Sequence, residues 1–195
     1  MPPPPRSRPP LPALAAAVAG LVVLGAACSD TTGLPKAVIA NAVDTVALYA
    51  LLDGDPQHPS AYLLQGNSPV RVDLSPVFDF AFNFDSLGRP VLLSTYAAAR
   101  TFGKQSALQH GHAPFDSITI APSGGWNFDS ALAVGPDSVV LVRSRLTTCV
   151  TGITVPLYGK LHVLGVDTAA QRLDFEIMAD ENCGYRGLAP GLPTQ

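Results

Sequence analysis

Charge is what this sequence has least of. Asp, Glu, Lys and Arg make up 14% of its 195 residues, against about a quarter in ordinary soluble domains. Much of any folded surface must therefore be Ser, Thr, Asn, Gln and small apolar side chains. Twelve basic residues face fifteen acidic ones, and no Lys/Arg cluster occurs. The electrostatic footprint needed to neutralise phosphates is missing, so nucleic acid is not an expected partner. Catalytic signatures are missing too: there is no Gly-x-Ser-x-Gly elbow, no His-Glu-x-x-His, no phosphate-binding loop and no dinucleotide fingerprint. Three cysteines are present, none in a Cys-x-x-Cys spacing. Helical periodicity is scarce. A chain of this length accommodates one domain with a real core.

The chain does carry an export pattern at its start. Arg6 and Arg8 precede residues 11–27, an uncharged run rich in Ala, Leu and Val that ends in small residues. These are the n-region, h-region and cleavage site of a signal peptide in order, and the run is short for a spanning helix, which needs about 20 apolar residues. The segment Leu24-Gly25-Ala26-Ala27-Cys28 resembles the lipobox of bacterial lipoproteins, with its Leu one place further from the Cys than the family pattern. The resemblance implies cleavage after Ala27, a diacylglyceryl thioether on Cys28 and attachment to the cell envelope. Ser29, in place of Asp, implies the outer membrane under the enteric sorting scheme. An ordinary secretory signal cut at the same place, giving a secreted or periplasmic protein, is the alternative, because Gly25 and Ala27 also satisfy the small-x-small rule.

Cysteine arithmetic supports the lipid: an exported chain with three cysteines has an odd thiol, and acylation of Cys28 leaves Cys149 and Cys183 to form a disulfide in an oxidising compartment. Processing removes Arg6 and Arg8, leaving ten basic against fifteen acidic residues. Residues 28–42 read as the lipidated N-terminus and a flexible tether, with a reach of about 40 Å if fully extended. Residues 43–195 read as a single β-rich domain.

Phe78, Phe80, Phe82 and Phe84 alternate with Asp79, Ala81, Asn83 and Asp85, a period of two that places every Phe on one face of a strand. Residues 85–88 form a turn in which Gly88 closes the hairpin, and residues 89–94 form the returning strand. Nearer the C-terminus, Leu157, Leu161 and Val163 share a face, as do Leu173, Phe175 and Ile177, with residues 167–171 as the turn. A turn centred on Ala169 puts Val163 opposite Phe175, Leu161 opposite Ile177 and His162 opposite Glu176. Residues 45–51, 61–64, 70–74 and 139–142 are further strand candidates. Residues 95–108 suggest a short helix, and residues 115–120 suit either a strand or one helical turn. Short strands separated by turn signals predict an all-β antiparallel sandwich or barrel with at most one or two short helices.

Few residues suggest chemistry. His110 and His112 would share a face of an extended segment, half of a zinc site, with His58, His162 or a distant carboxylate needed to complete it; a solvated loop is the simpler reading. Asp79, Asn83 and Asp85 offer oxygens on the polar side of the Phe strand, but calcium wants six to eight from a wrapped loop. Gly124-Gly125-Trp126 matches the bare Gly-x-Trp of lipocalins, although in that family the motif lies on the first strand. No cofactor is indicated. The expectation is a lipid-anchored envelope domain that binds or supports another envelope component without enzymatic activity. A small-ligand carrier with a barrel cavity is the alternative, and a hydrolase using His110 or His162 is a third.

Overall fold

The computed structural model describes residues 1–2 and 34–194; the export segment and Cys28 lie outside the described residues. Ten strands form two five-stranded antiparallel sheets. In the first, sheet I, the order is β1 (Val43–Tyr49), β10 (Arg172–Asp180), β9 (Thr154–Asp167), β8 (Val139–Thr148) and β6 (Ala107–His110). Sheet II runs β3 (Ser68–Val70), β2 (Ala61–Leu63), β4 (Phe80–Phe84), β5 (Pro90–Ser94) and β7 (Leu132–Ala133). Tyr62, Phe80, Phe82 and Leu92 from sheet II meet Leu48, Leu161, Val163, Leu173, Phe175 and Ile177 from sheet I in one buried cluster, so the domain is a β-sandwich with a filled interior. Among the described residues no helix is long and apolar enough to cross a membrane.

The two expected hairpins are present. Gly88 has φ 73°, the left-handed conformation that glycine adopts without penalty, and the turn closes through Asp85 and Arg89. In the β9–β10 hairpin Val163 pairs with Phe175, Leu161 with Ile177 and His162 with Glu176. The route to this register differs from the simple one. Nearest the turn Asp167 pairs with Arg172 and Gly165 with Asp174, one residue out of step, and a bulge at Leu164 restores the expected pairing.

Several elements depart from the sequence reading. Residues 95–108 hold a single helical turn, α1 (Thr95–Ala98), capped by Ser94 and ended by extended Ala99; a 3-10 turn, Arg100–Phe102, follows. Thr95 and Ser106 then hydrogen-bond to each other across the excursion, and β6 takes up the residues from Ala107. Residues 115–120 resolve as a 3-10 turn, Phe115–Ser117. The strand expected at 70–74 ends at Val70, where a turn begins with the Leu74 amide donating to the Arg71 carbonyl.

The Phe strand starts at Phe80, and Phe78 packs on the opposite side of sheet II with Ala61 and Ala81, edge-on to Phe102. That side is therefore not a solvent face. Asn83 is buried on that side, and Asp79, also buried, turns from the margin of the sheet towards Arg145 of sheet I.

The compact unit that holds the sandwich also begins earlier than residue 43, at Leu34. The Ala37 amide donates to Tyr185 Oη, the Val38 and Ile39 amides both donate to Asn182 Oδ1, and Asn41 bridges to Gly191. Residues 34–41 are thus a strap bound to the C-terminal segment.

Candidate functional site

Two places gather side chains of functional type, and both depend on what covers sheet I. Its inner face fills the sandwich core. Its outer face carries Leu141, Lys160 and Met178 in one row across β8, β9 and β10, and Val139, His162 and Glu176 in the next. Residues 111–128 and 181–194 lie over this face as an irregular layer, joined to each other by backbone bonds between Ala121 and Arg186 and between Leu188 and Thr119. Ala121, Leu188, Trp126 and Ile118 pack there against Leu141 and Tyr158. Trp126 thus belongs to a covering loop and lines no barrel.

Lys160 is buried beneath this layer at 1% exposure. Its ammonium donates to the Phe115 and Ile118 carbonyls at 2.7 and 2.8 Å and lies 4.4 Å from the centre of the Phe115 ring. Burial lowers its pKa, with Asp116 and Glu176 opposing. These contacts make it a clamp that holds the 3-10 turn on the sheet. Nothing in the local sequence distinguishes Lys160 from a surface lysine, since it sits in an alternating strand where the outer face would ordinarily be wet.

His162 lies at the margin of the layer. Its Nδ1 is 2.8 Å from Glu176 Oε1, and its Nε2 is 3.6 Å from Asp137 Oδ1. His110 and His112 line an open groove of about 650 Å3 with Asp137 and Ser138. Asp137 thus meets His162 and lines the groove that His110 and His112 also line, but the histidines do not converge: among the described residues no group of three or more His, Cys, Asp or Glu side chains is placed to hold a metal ion. His58 is remote, paired with Asp55 and stacked on Tyr49. Ser138 Oγ accepts the Gly135 amide, and the imidazole of His162 faces carboxylates on both nitrogens. Among the described residues no hydroxyl is hydrogen-bonded to a histidine.

The oxygens considered for calcium are occupied by donors. Asp79 accepts the Leu64 and Arg145 amides, Asn83 accepts the Leu52 amide, and Asp85 closes the hairpin turn with Leu87 and Arg89.

The second place is the end of the sandwich where the chain joins the domain. Cys149 and Cys183 form a disulfide with Cα atoms 5.9 Å apart, inside the range that unstrained bridges use. It ties the tip of the β8–β9 hairpin to the segment after β10, beside the strap. Asn182 holds the strap by accepting from Val38 and Ile39 and donating to the Ile39 carbonyl, and its amide groups are oriented by Asp180 Oδ1. Gly184 has φ 81°, and a Cβ there would lie 2.5 Å from Leu34 Cδ2, so a larger residue would strain the backbone and push the Leu34 side chain aside.

Between strap and hairpin tip lies an open groove of about 320 Å3, lined by Val38, Ile39, Val150 and the disulfide, with Lys36 and Glu181 among its polar groups. Val38 is 78% exposed and Val150 97%. No family model, curated protein or solved structure matches this chain. The functional reading therefore rests on these two places and on the sequence.

Proposed function

We propose that the chain is a lipid-anchored β-sandwich of the cell envelope, held in the outer membrane by acyl chains on Cys28. It acts without chemistry of its own, as a binding or structural accessory to another envelope protein. The observation that carries this reading is the Cys149–Cys183 disulfide: it consumes two of three cysteines and leaves the one at the lipobox-like segment as the thiol to be explained. Two acyl chains at about 0.8 kcal/mol per buried methylene are ample for stable attachment. The accessory role draws support from the histidines, which are engaged with carboxylates or scattered along an open groove. A carrier of the barrel type receives less support, because Tyr62, Phe80, Phe82 and Phe175 fill the space between the sheets.

The test is the mass of the protein extracted gently from its own membrane, measured native and then denatured. A denatured mass that begins at residue 28 and carries a diacylglyceryl group supports the anchor, and Cys28→Ser is expected to move the protein out of the membrane fraction. Retention of that variant in the membrane would contradict it. A native mass in excess by a defined small molecule would replace the accessory role with a carrier.

A further inference from the structure

We infer that the disulfide end of the sandwich is a bilayer-contacting surface, with Val38, Ile39, Val150 and Ile153 resting in the headgroup region of the membrane that holds Cys28. The inference rests on the lipid-anchor reading and adds to it an orientation and a contact.

Chain length sets the geometry. Leu34 is already fastened to the domain, because it packs against Gly184 and the strap that follows is bound through Asn182. Only five residues separate it from Cys28, a reach of about 20 Å at full extension, half of what a tether running to residue 42 would allow. The end of the sandwich that carries Leu34 is therefore the end nearest the bilayer.

That same end presents a group of four exposed aliphatic side chains with no ion pair between them. Val150, at the hairpin tip, is 97% exposed, Val38 78%, Ile39 44% and Ile153 39%. Singly, exposed valines need no explanation. Here they come from two segments far apart in sequence that the disulfide and Asn182 hold rigidly beside one groove. Lys36 and Glu181 at the groove offset each other, so the surface is close to neutral and meets anionic headgroups without repulsion. Contact of this size is weak by itself. The anchor supplies the high local concentration that makes it persistent.

The opposite end, formed by the β4–β5 and β9–β10 turns, carries the charged residues Asp85, Arg89, Asp167 and Arg172 between its two exposed leucines, Leu52 at 75% and Leu87 at 74%. Leu87 serves as the internal control.

The experiment uses the acylated protein beginning at Cys28 with Trp126→Phe, so that a single introduced tryptophan reports. Val150→Trp and Leu87→Trp are compared in vesicles of phosphatidylethanolamine and phosphatidylglycerol, with and without chain-brominated lipid. Both probes have the same intrinsic liking for the interface, so the difference between them reads the orientation. The expected result is blue-shifted emission and several-fold stronger bromine quenching for V150W than for L87W. Equal, weak quenching of the two in acylated protein overturns this inference and leaves the anchor standing. A blue shift at V150W without quenching also overturns it, because a second copy or another protein then covers the end. Protein recovered from the membrane without acyl chains, as judged by intact mass, overturns the anchor and this inference with it.

Discussion

The Asp79 carboxylate holds the backbone of Arg145, 66 residues away and on the other sheet, by accepting its amide at 2.8 Å. The same carboxylate accepts the Leu64 amide at 2.8 Å, and the Arg145 guanidinium stands 3.4 Å from it. The amide is available because β8 is irregular between Arg143 and Leu146, where Ser144 Oγ takes over the Leu157 amide. Burial pushes the Asp79 pKa up, opposed by the two amides and by Arg145. One acid thus satisfies a bulge in sheet I from the margin of sheet II.

Asp79→Ala leaves two amides and a partly buried guanidinium without their acceptor, and is expected to cost about 3 kcal/mol. For a domain of this size that is a fall in Tm of roughly 10 °C. Urea unfolding of Asp79→Ala and of the exposed-turn variant Leu87→Ala, which is expected to change little, makes the comparison. Equal stability of the two would show that the bulge does not depend on Asp79.

The disulfide closes a sequence separation of 34 and, in the chain-entropy account, stabilises the domain by roughly 3.5 to 4 kcal/mol. The paired variant Cys149→Ser/Cys183→Ser is expected to melt about 10 °C lower than the parent in a scan without reductant. Adding reductant should bring the parent down to the variant and leave the variant unchanged. A parent that melts with the variant from the start would mean that the bond does not form.

Burial raises the Asp180 pKa to about 6 from an ordinary 3.8. The folded protein therefore holds a proton between pH about 4 and 6 that the unfolded chain has released, so this group's contribution to stability falls as pH rises through that window and is level above it. Asp180→Asn removes the titration. The stability of the variant relative to the parent is expected to grow by roughly 2–3 kcal/mol between pH 4 and 7, as read from urea unfolding at each pH. Parallel pH curves would show that Asp180 titrates as an ordinary carboxyl. The group matters locally because Asp180 orients Asn182, which holds the strap.

The sequence by itself determined the longer strands and the pairing within two hairpins. Alternation with a period of two identifies β4, β5, β9 and β10, and matching the apolar sets across residues 167–171 places Val163 opposite Phe175, because a slip of one residue would turn every side chain to the wrong face. The Cys149–Cys183 pair was legible by counting thiols. What a period of two cannot say is whether the second face meets water or another layer. Only the tertiary structure decided that Asp79 and Asn83 are buried and that Lys160 lies under a coil layer. It also brought residues 34–41 onto residues 182–191, a strap that no local pattern announces because both partners are irregular and far apart in sequence. The end of the sandwich where the strap, the disulfide and the exposed valines meet exists only through those long-range contacts, which no short stretch of sequence encodes.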